Sequence, residues 1–279
     1  MSNGSLANVL FKGIRRPGWD ERVRIALDVA RGILYLHEEC KAPIIHCDIK
    51  PSKILMDDFW TTKISDFGLA KLLMPDQTRT FTMVRGTRGY MAPESHKNTP
   101  ISVKVDVYSY RMVLLEILCC KRNMDVNASK LEEIVLSTWV YKCFVARELD
   151  KIVGVEEVDK RTLANMVKVG LWCIQDEPFL RPSMKSVVLM LEGITDISVP
   201  PCPTNGLTLK PGKHGHGARG AAPASDAARR SNARGTSLPA VDAASSRILP
   251  HVFFFFHDLR RRGSNSGRFA LNRADSRQL

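Results

Sequence analysis

The 279-residue sequence contains no apolar run that approaches the ~20 residues needed to cross a bilayer. Residues 1–11 lack the basic flank and apolar block of a signal peptide, so we expect neither a leader nor a transmembrane segment. The seven cysteines are odd in number and none are spaced as C-x-x-C. This argues against a disulfide framework or a zinc site and favours reduced cysteines in a cytosolic core.

Residues 201–279 contain no Glu, Tyr or Trp and are rich in Ala, Arg, Ser and Gly. Such a composition cannot bury enough apolar area to offset the ordering of the backbone, which predicts a disordered tail over 201–279 and a folded domain over 1–200. The tail has 13 Lys+Arg against 4 Asp, so it carries +9 of the net charge of +12. Because its basic residues are not interleaved with aromatics, apart from one Phe run, we expect no specific nucleic-acid partner.

Apolar residues recur at three- and four-residue steps over five segments. This spacing predicts helices over 19–39, 103–120, 131–146, 160–175 and 182–193, with the first mostly buried. Short β-type runs at 44–45, 54–56 and 62–65 predict brief strands, and the unpatterned stretch 70–100 predicts a long ordered loop. The expected fold class is therefore α+β, mainly α.

Three motifs occur in a fixed order. They are His-Cys-Asp-Ile-Lys at 46–50, Asp-Phe-Gly at 66–68 and Gly-Thr-Arg-Gly-Tyr-Met-Ala-Pro-Glu at 86–94. A single tripeptide can arise by chance, but the three together, in this order and at these separations, are typical of protein kinases.

The sequence most resembles the plant receptor-like kinases, and within them the lectin-type receptor kinases. The resemblance is carried by residues 35–40, 45–55, 64–71, 85–94, 106–110 and 171–184, and it covers roughly 1–200. It implies the C-terminal (large) lobe of a protein kinase. Residues 1–6 resemble the family just after the hinge, so the N-terminal β-rich small lobe and its Gly-rich loop are expected to be absent.

The resemblance also implies roles for individual residues. Asp48 is expected to accept the proton of the substrate hydroxyl and Lys50 to contact the transferred phosphoryl group, which favours Ser/Thr over Tyr as acceptor. Asp66 is expected to bind Mg²⁺. Thr78, Thr80, Thr82 and Thr87 fall in the activation and substrate loop, and the residues implied to be structural are His46, Gly68, Glu94, Asp106 and Arg181. Glu94 is expected to pair with Arg181, and Asp106 to brace the loop that carries Asp48.

Three positions depart from the family pattern. Lys53 stands where the family has a metal-binding Asn, and a protonated lysine has no acceptor and repels a cation. We hypothesise that Lys53 pairs with Asp66 or Asp48; the alternative is that it extends into solvent. Cys47 replaces an arginine that reads a phosphate on the activation loop. Arg111 replaces a glycine, and it either strains a helix contact or reaches solvent along its stem.

Two functions remain open. The first is an ATP- and Mg²⁺-dependent serine/threonine kinase that acts on a protein substrate or signalling partner in the cytoplasm, with negligible activity expected from this chain alone. The second is a catalytically inactive, pseudokinase-like binding module. Binding of RNA or an acidic surface by the tail ranks last.

Overall fold

The computed structural model describes residues 3–13, 16–74, 76–81, 86–97, 99–123 and 136–202. The predicted disordered tail, apart from its first two residues, and Thr82 therefore lie outside the described residues.

Helices account for most of the described chain. They are α1 (Leu6–Phe11), α2 (Trp19–Leu34), α3 (Lys104–Cys119), α4 (Leu136–Val145), α5 (Asp150–Val153), α6 (Lys160–Cys173) and α7 (Met184–Leu191). A single π-helical turn, Tyr35–Glu39, continues α2, and short 3-10 turns occupy Pro51–Lys53, Phe67–Leu69, Pro93–His96 and Pro178–Leu180. None of the helices in the described ranges combines the length and the apolar character needed to span a bilayer.

Local sequence explains where several helices begin. Asp159 precedes α6 and accepts a 2.8 Å hydrogen bond from the Thr162 N–H, and Ser183 precedes α7 and accepts one of 3.1 Å from the Ser186 N–H. Each side chain satisfies an N–H that the first turn of a helix leaves without a partner.

The core forms around α3, in which 14 of 16 residues are buried. This helix packs against α2 and α6, while α2 also packs against α7. The apolar residues that meet here come from segments far apart in the chain, including Ile25 and Ile33 of α2, Leu115 of α3 and Val167 of α6. Their burial removes apolar surface from water, which is the main favourable contribution to folding.

The strands form two small antiparallel pairs within the described residues. Strand β2 (Ile54–Met56) pairs with β3 (Thr62–Ile64), and β1 (Ile44–Ile45) pairs with β4 (Lys71–Leu72). Strand β1 directly precedes the 46–50 motif and β3 ends two residues before the 66–68 motif, so the pairs help to position the loops that follow these strands.

The predicted mainly helical α+β class is confirmed. The predicted helix over 19–39 is present, although its last turn is π-helical, and the strands at 44–45, 54–56 and 62–64 match. The prediction of a long ordered loop over 70–100 was incomplete, since β4 and the 3-10 turn Pro93–His96 lie inside it.

The solvent-reaching alternative for Arg111 was wrong. Its side chain lies inside the core, 4% exposed as a residue, with its guanidinium carbon 4.7 Å from the centre of the Tyr108 ring. Most residues of α3, which carries Arg111, are buried in the same way.

Candidate active site

The Asp48 carboxylate lies in a closed cluster with one ammonium and one hydroxyl group. Lys50 Nζ lies 3.0 Å from Asp48 Oδ2, and the Thr87 hydroxyl donates a 2.6 Å hydrogen bond to Asp48 Oδ1. Lys50 Nζ also donates to Thr87 Oγ1 at 2.5 Å. The Asp48 side chain is 10% exposed and that of Lys50 is 20% exposed, so both charged groups are mostly buried.

The His46 imidazole joins the loop that carries Asp48 to the loop that carries Asp66. The Asp48 N–H donates to His46 Nδ1 at 3.2 Å, and His46 Nε2 lies 3.1 Å from the Ser65 carbonyl oxygen. Because Nδ1 accepts, the ring proton is on Nε2 and is donated to Ser65. Burial lowers the pKa of the His46 imidazole, which favours this neutral form. Asp48 and Asp66 are therefore carried by loops that lie side by side.

Asp106, in the first turn of α3, binds the backbone of the loop that carries Asp48. Its Oδ2 accepts from the His46 N–H at 2.7 Å and its Oδ1 from the Cys47 N–H at 2.9 Å. His37 Nε2 lies 3.0 Å from the same Oδ2, and it reaches this position from the π-helical turn that ends α2. Cys47 has φ 65°, a left-handed conformation that is unfavourable for a side chain with a Cβ. The bonds to Asp106 offset that strain and fix the direction of the loop.

Asp66 has both carboxylate oxygens engaged by groups of the protein. Lys53 Nζ forms an ion pair with Oδ2, and the Gly68 N–H donates to Oδ1 at 3.3 Å. A Cβ at position 68 would lie 3.2 Å from that same oxygen, so the absence of a side chain there favours the contact. The predicted pairing of Lys53 with Asp66 is present, and its solvent alternative was wrong.

The residues at Asp66 do not fit the magnesium ion that the resemblance implies. Mg²⁺ takes oxygen ligands, whereas Lys53 offers an ammonium that has no lone pair and carries positive charge. Within the described ranges, no group of three or more His, Cys, Asp or Glu side chains converges as a metal site. No chemical step is therefore assigned to a metal here.

The 86–94 segment passes directly over the Asp48 loop. Gly86 has φ 139°, and a Cβ there would lie 2.8 Å from Met91 Cγ and 3.3 Å from the Cys47 carbonyl oxygen. Only glycine fits such a close approach without displacement of a neighbour. This contact brings Thr87 next to Asp48.

A buried glutamate, Glu116 of α3, anchors the same segment. The Tyr90 hydroxyl lies 2.9 and 2.8 Å from its two oxygens, and the Asn123 N–H donates to it at 2.8 Å. The Asn123 side chain in turn donates to the Gly89 carbonyl at 2.8 Å. Burial raises the pKa of Glu116 to about 7, although these hydrogen bonds and the charge of Arg122 lower it.

Glu94 and Arg181 form a buried ion pair with two hydrogen bonds, at 2.6 and 2.9 Å. The remaining Arg181 donors bind the carbonyl oxygens of residues 104, 175 and 176, so all five N–H groups have partners. The contact implied by the resemblance is thus present, and it fixes the end of the 86–94 segment against the helical core.

The structure brings Asp48, Lys50 and Thr87 together, and it places Asp66 with Lys53 on the adjoining loop. The two other predicted loop threonines that the structure describes lie elsewhere: Thr78 is exposed, and Thr80 exchanges two backbone hydrogen bonds with Ile101, of 2.9 and 2.8 Å. Sequence reasoning missed Tyr90, Glu116, Asn123 and Ser65, and it treated His37 only as a member of a helical stripe. The sequence does contain one signal for Glu116, since it is the single charged residue in the otherwise apolar run of residues 112–118.

Comparison with known proteins agrees with this geometry. The family described as protein kinase domain matches residues 1–190. The chain is 50% identical over 204 residues to the G-type lectin S-receptor-like serine/threonine-protein kinase LECRK4 of Oryza sativa, which covers 72% of this chain and 25% of that protein. It is 49% identical over 207 residues to the corresponding kinase RLK1 of Arabidopsis thaliana, which covers 73% of this chain and 24% of that protein.

A helical core that carries these three motifs on adjoining loops defines the catalytic lobe of a protein kinase. The chain belongs to the protein kinase family, and it is similar to receptor-like serine/threonine kinases of the G-type lectin class. It spans about a quarter of the length of these curated relatives.

Proposed function

We propose that this chain carries the phosphoryl-acceptor side of a serine/threonine protein kinase of the receptor-like type. The observation that supports this most strongly is the Asp48–Lys50–Thr87 cluster. In it, a carboxylate already accepts a hydrogen bond from an aliphatic hydroxyl, at 2.6 Å. A serine or threonine of a protein substrate presents the same group.

Asp48 would accept the proton of the substrate hydroxyl as that oxygen bonds to the terminal phosphorus of ATP, while the bond from that phosphorus to the bridging oxygen breaks and ADP leaves. Positioned general bases contribute roughly 10²–10⁴-fold to a rate. The Lys50 ammonium would stabilise negative charge on the transferred phosphoryl group, since it lies within 3.0 Å of the carboxylate. Thr87 would hold the ammonium and the carboxylate in register. We propose a protein substrate in the cytoplasm, an environment that suits seven free cysteines.

One observation favours the alternative, a binding module with little catalysis. The Lys53–Asp66 ion pair removes the metal ligands on which phosphoryl transfer in this family depends. We therefore expect slow phosphoryl transfer at most.

Transfer of radiolabelled phosphate from ATP to casein separates the two functions. The kinase proposal requires incorporation into Ser or Thr that is lost in Asp48→Asn and kept in Asp196→Asn, an exposed aspartate that serves as the control. Incorporation that survives Asp48→Asn would contradict the proposed role of Asp48. No incorporation, together with no rise in melting temperature on addition of MgATP, would favour the binding module, since a ligand that binds only the native state stabilises it.

A further inference from the structure

The Lys53–Asp66 ion pair is fixed by the backbone that carries it. The Lys53 carbonyl oxygen accepts from both the N–H and the hydroxyl of Ser65, each at 2.9 Å. Ser65 directly precedes Asp66, so these two bonds hold the lysine and the aspartate side by side. The backbone therefore keeps the Lys53 ammonium within reach of the Asp66 carboxylate.

Each of the two neighbouring carboxylates has its own ammonium partner. Asp48 pairs with Lys50, and Asp66 pairs with Lys53. The two pairs together carry no net charge, and the His46 ring between their loops is held in its neutral form. A divalent cation that approached Asp66 would find a carboxylate already neutralised, and it would have to displace an ammonium to bind.

We propose that Lys53 is a built-in cation that takes the place of a divalent metal ion at Asp66. The Lys53 side chain is 26% exposed and that of Asp66 is 48% exposed, so the pair can face an anionic phosphate group without a bridging ion. The inference rests on the proposed kinase function. Its test, however, requires neither ATP nor phosphoryl transfer.

The experiment is a titration of the full chain with Mn²⁺ alone, followed by the paramagnetic broadening of NMR signals from residues 65–68. We expect no broadening in the natural chain at concentrations where Lys53→Asn shows it, with at least tenfold tighter binding in the variant. Lys53→Met removes the charge but adds no ligand oxygen, and its affinity should lie between the two. The double variant Lys53→Asn with Asp66→Asn should lose the binding, which would locate the ion at Asp66.

Lys160→Asn is the matched control, because Lys160 also pairs with a single aspartate, Asp150, at 3.5 Å on another part of the surface. It should behave as the natural chain does. Equal Mn²⁺ affinity in the natural chain and Lys53→Asn would overturn the inference. Absence of binding in both would overturn it as well, because Lys53 would then not be what excludes the metal. Either result leaves the Asp48-dependent transfer assay, and with it the proposed function, unaffected.

Discussion

Glu116 makes the stability of the fold depend on pH near neutrality. Glu116 is 1% exposed as a residue, and burial raises the pKa of its carboxyl from an ordinary 4.5 to about 7. An unfolded chain would ionise this group near its ordinary pKa. Ionising it in the folded state therefore costs roughly 3 kcal/mol more, at about 1.4 kcal/mol for each pH unit between the two pKa values.

The sign of the change in stability with pH follows from the number of protons that each state binds. Between about pH 4.5 and pH 7 the folded chain holds this proton and the unfolded chain does not, so the free energy of unfolding decreases as pH rises. The contribution is fully present below pH 4.5 and is lost above about pH 7. Glu116→Gln stays neutral throughout and still offers an oxygen to the Tyr90 hydroxyl. As pH rises from 5 to 8, the free energy of unfolding of the variant should therefore increase by about 2–3 kcal/mol relative to that of the natural chain.

The assay is urea unfolding of both chains at several pH values, followed by tryptophan fluorescence. At each pH the free energy of unfolding of the natural chain is subtracted from that of Glu116→Gln. The test is how this difference changes with pH, because any constant effect of the amide at position 116 cancels. Glu192→Gln, at a glutamate paired with Arg31 on the surface at 2.6 Å, is the control and should show no such change. A difference between the natural chain and Glu116→Gln that is the same at pH 5 and pH 8 would refute the reasoning.

Periodicity predicted the long helices because it reports burial directly. It could not predict β4, since Lys71 and Leu72 are both exposed and pair with Ile44 and Ile45, which lie far away in the chain. It also missed α5, because a four-residue helix is too short to show a period. The π-helical end of α2 was also missed, because a spacing of three and four residues between apolar side chains does not distinguish a π turn from an α turn.

The site was predicted where chemistry constrains short motifs, and missed where a network joins distant segments. Asp48, Lys50 and Asp66 are identified by their motifs alone. Glu116 is not, because its hydrogen bonds come from segments on both sides of it in the sequence. Arg111 was left open for a similar reason: only the packing of α3 on all sides decides that its side chain is buried.

Three further predictions concern groups inside the fold. Arg111→Met should stabilise the chain by about 1–3 kcal/mol, because a buried cation whose Nε has no hydrogen-bond partner is replaced by an apolar side chain; a lower urea midpoint for the variant would contradict this. Glu94→Gln should destabilise the chain by about 3–5 kcal/mol in the same assay, because it leaves the Arg181 guanidinium buried without its counter-charge; a loss below about 1 kcal/mol, which is typical of exposed pairs, would show that the ion pair is not effectively buried. Asp106→Asn should loosen the Asp48 loop specifically. In the natural chain the two carboxylate oxygens of Asp106 accept from the backbone N–H groups of residues 46 and 47, whereas an amide offers only one acceptor oxygen. One of these N–H groups would lose its acceptor and face an NH₂ donor, so that one of the two bonds that offset the unfavourable left-handed conformation of residue 47 would be lost. Hydrogen exchange should therefore become at least tenfold faster at the amides of residues 46 and 47, with a much smaller change in the middle of α6. Equal acceleration at both places would mean that the substitution only lowers global stability, and unchanged exchange at residues 46 and 47 would show that Asp106 does not brace the loop.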